Sequence, residues 1–332
     1  MAFRLKLVPD ETNINFFRWQ FLTFGLSAFL MVASLVCVLV MGLNFGIDFK
    51  GGTTIRTESG ASFDVAAYRD VLTAQNVGDV SITEVFDPAF GADKHVAQVR
   101  IGASKDGEAI TPEQLTQVEA ALKTVDPGVK FTAVESVGPK VSGELIKTAV
   151  YAVGAACIGI LIYIWLRFEW QFAVGGVVAL VHDVLLTVGI FSLFQIRFDL
   201  TTIAALLTIL GYSINDTVVV FDRLRENLIK FKTMPLIDVM NLTVNETLSR
   251  TIMTAVTTAI ALTALFILGG DVIRGFVFAM LWGVFVGCYS TIYVAKNIVL
   301  WMGVKRDWTK TAEVGPYAHA ERVEAAPSEG QS

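Results

Sequence analysis

Six apolar windows, each long enough to cross a bilayer, constrain this 332-residue chain more than any motif does. They run Phe21–Met41, Ala149–Leu166, Phe172–Phe194, Leu200–Phe221, Thr251–Leu268 and Phe276–Trp301. About 20 apolar residues span the hydrocarbon layer as a helix. Within that layer only structures that satisfy their own backbone hydrogen bonds persist, so the windows predict a polytopic α-helical membrane protein with six transmembrane helices. Composition agrees: 54% of residues are hydrophobic and 17% are charged. The net charge of −5 points to no nucleic-acid partner. Cys37, Cys157 and Cys288 all fall inside apolar segments, which suggests neither a disulfide framework nor a metal site.

Lys and Arg set the expected orientation. Arg4, Lys6 and Arg18, then Arg167, then Arg223, Arg225, Lys230 and Lys232, then Lys305, Arg306 and Lys310 all fall on one side. The short loops of the other side hold only Arg197 and Arg274. The positive-inside rule therefore predicts cytoplasmic N- and C-termini and an outward-facing segment between spans one and two. The first window reads as an uncleaved signal anchor, and Trp19, Trp165, Trp170 and Trp301 sit near span ends as an aromatic belt would. The expected organisation is a cytoplasmic start (1–20), a first span (21–43), a polar insert (44–144) and a five-helix bundle (145–303). A cytoplasmic loop is expected at 222–250, with an amphipathic helix from Pro235 to Ser249, and a disordered tail at 304–332.

The insert has a pattern of its own. Thr53–Thr57, Val80–Phe86, His95–Ile101 and Val129–Val137 alternate like strands, while Phe63–Asn76 has helical spacing. Thr111-Pro112-Glu113-Gln114 supplies an N-cap, a first-turn proline and a capping-box glutamine for a second helix reaching about Val125. The order β-α-β-β-α-β predicts a small α+β domain of ferredoxin-like, split-βαβ type.

Asp216 lies inside the fourth window. A carboxylate at the centre of a spanning helix costs roughly 2.5–3.5 kcal/mol on insertion scales, and such acids usually line ion or proton routes. Tyr212, Ser213 and Asp216 share one helical face, with Asn215 and Thr217 beside it. Arg250 opens the fifth window, followed on one face by Thr254, Thr257 and Thr258. Two readings of Arg250 stand: it pairs with Asp216 and is released when that acid is protonated, or it snorkels to the headgroups. His182-Asp183 in the third window reads either as an extension of a proton relay or as a structural hydrogen-bond hub. Gly283-Val-Phe-Val-Gly287 fits small-xxx-small packing. No phosphate-cradling loop, metal motif or nucleophile constellation appears, so an enzyme is not expected, nor a cofactor beyond protons as the coupling ion.

Five segments stand in a familiar order: Gly46-Ile-Asp48-Phe-Lys-Gly51-Gly52, Val137-Gly138-Pro139-Lys-Val-Ser142, His182-Asp183-Val184, the run Gly211 to Asn227 with Asp222-Arg223, and Glu246-Thr-Leu-Ser-Arg250-Thr251. Together they closely resemble the SecD/SecF family of bacterial protein-translocase subunits, on its SecF side, within the resistance–nodulation–division superfamily. The resemblance runs from about Arg18 to Gly303. It implies a multi-pass subunit of the bacterial inner membrane that pairs with SecD and associates with the SecYEG channel. It implies that the complex uses the proton motive force to promote preprotein export on the periplasmic side. Asp216 would carry the proton and Arg250 would be its switching partner. The competing expectation is one half of a proton-driven exporter of small molecules or lipids from the same superfamily. A single six-span half with one small outer domain favours a chain completed by a partner.

Overall fold

The structure, a computed structural model, describes residues 9, 12–60, 64–75, 77–85, 95–103 and 110–304. The expected disordered tail falls, but for Val304, outside those residues, as do Arg4, Lys6, Phe63, Asn76 and Phe86. In chain order the helices are α1 (Gln20–Met41), α2 (Ile47–Lys50), α3 (Val65–Ala74), α4 (Pro112–Val125) and α5 (Pro139–Arg167). They continue with α6 (Trp170–Leu193), α7 (Leu200–Lys230), α8 (Leu236–Leu268), α9 (Asp271–Ser290) and α10 (Lys296–Met302). The strands are β1 (Asn44–Phe45), β2 (Gly52–Ser59), β3 (Val80–Val85), β4 (His95–Gly102), β5 (Lys130–Val137) and β6 (Arg197–Phe198). A π-helical turn, Thr291–Ala295, joins α9 to α10.

Among the described residues six helical segments are long and apolar enough to cross a membrane, and each predicted window lies essentially within one of them. Their burial is unequal. α6, α7 and α9 bury one face each in the bundle interior, whereas α1, α5 and α8 carry long rows of exposed apolar side chains such as Phe29, Leu39, Ile158, Leu166, Ile260 and Leu268. In a bilayer such exposure is ordinary, because lipid tails are as apolar as leucine.

Close helix contacts inside the bundle are made where a side chain is missing. A Cβ on Gly283 of α9 would overlap the side chain of Ile209 in α7, and one on Gly287 would lie 3.2 Å from Ser213 Oγ. Gly189 of α6 likewise faces Ser34 of α1 with no room for a methyl group. The predicted small-xxx-small pair therefore seats α9 against α7, the helix that carries Asp216.

The insert has the predicted element order β-α-β-β-α-β, β2 to β5 with α3 and α4. Its four strands lie in the order β3-β4-β2-β5, every neighbouring pair antiparallel. One face packs on α3 and α4 around Ile55, Tyr68, Leu72, Val99, Ile101, Val118 and Leu122, all essentially inaccessible. Asp64 caps α3, and Thr111 with Gln114 forms the predicted capping box of α4.

Three boundaries differ from the sequence expectation. The insert ends at Val137 rather than 144, because Gly138 and Pro139 already start α5 about three turns ahead of the apolar window. α7 runs on to Lys230 and α8 begins at Leu236, so the expected loop 222–250 shrinks to 231–235. The physical reason is polar pairing between the two extensions: Arg223 Nε donates to Glu246 Oε2 at 2.7 Å, and Asn227 Nδ2 donates to Thr243 Oγ1 at 3.0 Å. The predicted amphipathic helix is the first part of α8, with Val239, Met240 and Val244 buried against α7 and the bundle core.

Candidate functional site

α7 is started firmly. Asp199 accepts from the N–H of Thr202 at 3.1 Å and from the hydroxyl of Thr201 at 2.6 Å, and Thr202 bonds back to it as a capping box. A second acid reaches the same end from the insert side: Asp48 Oδ2 accepts the N–H of Leu200 at 3.0 Å. A carboxylate over exposed helix N–H groups also meets the positive end of the helix dipole. Around it, β1 pairs in parallel with β6, and the Gly46 N–H donates to Phe198 O at 2.8 Å. Gly51 and Gly52 hold φ of 75° and 127°, where side chains are strained, and a Cβ on Gly52 would strike Ile101 O. The glycine-rich motif thus ties the first strand of the insert sheet, β2, to the N-terminal end of the helix bearing Asp216.

Asp216 is 4% exposed, near the middle of α7. No hydrogen bond or ion pair within 4.0 Å joins it to Arg250, which is exposed on α8. Tyr212, one turn earlier, donates from its hydroxyl to Thr258 Oγ1 at 3.4 Å, so α7 and α8 share a polar contact beside the acid. Thr254 and Thr257 bond back to their own helix, to Thr251 O at 3.0 Å and Met253 O at 2.8 Å. Asn215 faces outward, while Thr217 is buried and lies 2.9 Å from Thr291 Oγ1.

Asp183 is fully buried and well supplied with donors. Its Oδ2 accepts from Ser213 Oγ at 2.7 Å and from Ser290 Oγ at 2.9 Å, and its Oδ1 lies 3.0 Å from His182 Nδ1. A buried carboxylate is tolerable only with such partners. His182 stacks on Tyr289, whose hydroxyl donates to Thr23 O at 2.7 Å and accepts from Ser27 Oγ at 3.0 Å. One acid therefore connects α6, α7 and α9, and through its neighbour α1. Ser213 precedes Asp216 by less than one turn, so Asp183 and Asp216 address the same segment of α7.

The remaining motif residues are structural clamps at the ends of the bundle. Asp222 Oδ1 accepts from Arg167 Nη2 at 3.0 Å, tying α7 to α5, and Arg223 holds both Glu226 and Glu246 at 2.7 Å. Gly138 is the N-cap of α5, with Pro139 in its first turn.

Sequence reading passed over three residues. Ser290 and Tyr289 were masked by their neutral chemistry, which becomes informative only when Asp183 and His182 are placed beside them. Lys296 left a stronger trace, a cation inside the sixth window. It is 0% exposed, and its Nζ has no hydrogen-bond partner among the described residues. It follows the π-helical turn, a feature frequent at functional sites.

A family profile described as "Protein export membrane protein SecD/SecF, C-terminal" matches residues 117–305, and one described as "SecD/SecF GG Motif" matches 38–61. The chain is 70% identical over 310 residues to the protein translocase subunit SecF of Cereibacter sphaeroides, covering 93% of this chain and 96% of that one. It is 65% identical to the SecF subunit of Rhodobacter capsulatus, covering 93% and 95%. Among solved structures it resembles SecDF, a translocon-associated membrane protein from a Thermus species, with a TM-score of 0.78 at 33% identity. That match covers 89% of this chain and 39% of the SecDF chain, so this chain spans about two fifths of its length. A SecDF structure in a super-membrane-facing form gives a TM-score of 0.65 at 33% identity, over 97% of this chain and 41% of that one. With both profiles falling on the motifs that clamp and fill α7, the chain belongs to the SecD/SecF family of protein export membrane proteins.

Proposed function

We propose that this chain is the SecF subunit of a SecD–SecF complex in the bacterial inner membrane, where it uses the proton motive force to promote preprotein export through the SecYEG channel. The observation that carries the reading is the position of Asp216: a buried acid on the one helix whose outer end is held by the insert's own glycine motif. Protonation would change the charge on α7 beside Arg250, and α7 would transmit the change to Gly46–Gly52 and from there to the sheet. Asp216 is the proton carrier, and Arg250 on α8 is its switching partner. Asp183 and His182 are the hub that fixes α6, α7 and α9 around it. The role is one of transport, not catalysis.

The termini are cytoplasmic and the insert periplasmic, as the Lys and Arg distribution supports. Its strand order, with two helices on one face, supports a ferredoxin-like domain that meets the preprotein. SecD completes the bundle along α7, where Ala204, Thr208, Gly211 and Asn215 form an exposed stripe of small and polar residues. Membrane lipids cover the apolar rows of α1 and α5.

Asp216→Asn tests the reading. Insertion and co-purification with SecD should remain at wild-type levels, while export in cells should lose its dependence on the proton gradient. Proton-gradient-dependent export at the normal rate in that variant sinks the coupling role.

A further inference from the structure

Between the insert sheet and the bundle lies a cleft of about 490 Å3. Three guanidinium side chains line it from separate elements: Arg100 on β4, Arg197 on β6 and Arg274 on α9. Beside Arg197 and Arg274, its bundle side carries the apolar side chains of Ile196, Phe266 and Phe278. Two carboxylates also line it, and each is already engaged. Asp199 caps α7 through Oδ1 and meets Arg197 Nε through Oδ2 at a loose 3.5 Å, while Glu84 faces His95 at 3.7 Å.

The cationic groups are under electrostatic pressure. Arg197 Nε is buried and makes no hydrogen bond among the described residues, its ion pair to Asp199 apart. Burial, and then the neighbouring charge of Arg197, pull the Arg100 guanidinium down to about 10, with Asp199 only partly offsetting them. Arg100 therefore stays charged at neutral pH, half-buried beside a like charge. An anion with several acceptor oxygens relieves both, since guanidinium forks match phosphate geometry.

The position narrows the source of that anion. α6 ends at Leu193, α7 starts at Leu200 and α9 starts at Asp271, so the cleft sits where three spans leave the hydrocarbon layer. Guanidinium groups held where spanning helices meet the headgroup layer match the oxygens of a lipid phosphodiester. A wall of phenylalanine facing three guanidiniums is the complement of an amphiphile, not of a free ion. We propose that this cleft is a binding site for the phosphodiester headgroup of an anionic phospholipid, whose glycerol and first acyl carbons rest on Phe266 and Phe278. The lipid bridges β4 of the insert and α9 of the bundle and so couples the insert's position to the leaflet it faces. The site requires only that the six helices span a bilayer and stands apart from the proton-coupling reading.

Native mass spectrometry of the purified full-length protein, offered an equimolar mixture of phosphatidylglycerol and phosphatidylcholine, tests it. The wild type should retain phosphatidylglycerol over phosphatidylcholine by about tenfold, equivalent to about 1.4 kcal/mol. Arg274→Gln and Arg100→Gln should each bring the ratio towards parity, and Arg100→Lys should fall between, with melting temperatures unchanged. Equal retention of the two lipids by the wild type overturns the proposal. So does a preference that survives in both Gln variants. Displacement of the lipid by excess inorganic phosphate, with the same thermal stabilisation as the lipid provides, reassigns the site to free phosphate and overturns the lipid commitment.

Discussion

Asp48 and Leu200 are 152 residues apart in sequence, yet the Asp48 carboxylate accepts the Leu200 N–H at 3.0 Å. Through that bond the motif that opens the insert holds the first residue of the helix that carries Asp216. In the proposed mechanism this contact is the path from the acid to the insert, along one helix and across one hydrogen bond.

Asp48→Ala should weaken that path while leaving the fold in place. Losing a charge-assisted bond at a helix start costs about 1–2 kcal/mol, and Asp199 still caps α7. Membrane levels and SecD co-purification are expected to stay normal while gradient-dependent export falls several-fold. Asp48→Asn, which keeps an acceptor, should fall between; a full-strength Ala variant would show that the bond transmits nothing.

Arg250→Met should reproduce the defect of Asp216→Asn, because it removes the proposed switching partner of the buried acid. Arg250→Lys should rescue only in part, since an ammonium on a flexible stem replaces a planar fork. Export rates in cells with and without a protonophore distinguish these outcomes.

Asp183→Ala should damage stability before it damages coupling. It leaves the Ser213 hydroxyl and His182 Nδ1 buried without their partner, while Ser290 keeps the Gly287 carbonyl at 3.1 Å. Each orphaned polar group costs about 1–3 kcal/mol, so the melting temperature in detergent should drop by several degrees. An unchanged melting temperature with lost gradient dependence would favour the relay reading of Asp183 over the hub.

Gly283→Leu should push α9 away from Ile209. Overpacking of a tight interface costs about 1–3 kcal/mol, readable as a lower melting temperature. Gly283→Ala should show the same sign at smaller size.

Gly211→Leu tests the exposed stripe of α7 differently, because among the described residues nothing beyond the adjoining backbone of its own helix lies within 4 Å of a Cβ placed there. The variant should fold with wild-type thermal stability and lose SecD on purification. Retention of SecD would place the partner elsewhere.

Much of this was legible from composition and spacing. Six apolar windows announced six spans because a bilayer leaves a helix no other way to satisfy its backbone. The order of strands and helices in the insert followed from period-2 and period-3.6 patterns with clear caps. Where reading stopped at an apolar edge, it erred. α5 starts ahead of its window and α7 and α8 continue past theirs, because Arg223–Glu246 and Asn227–Thr243 stabilise helix that no lipid requires. Hydropathy measures where the membrane is, not where a helix ends.

The amino-acid sequence alone determined that Asp216 would be an acid inside a spanning helix, with Asp183 a second one inside another span. Both facts are local: residue type, and position within an apolar run. Which of the two acids would be saturated with hydrogen bonds was decided only by the tertiary structure. Asp183 collects Ser213 and Ser290 from two other helices, whereas Asp216 is buried with no hydrogen-bond donor among the described residues. That difference is set by how α6, α7 and α9 rotate against one another at Gly283 and Gly287, and rotation about a helix axis leaves no mark on hydropathy.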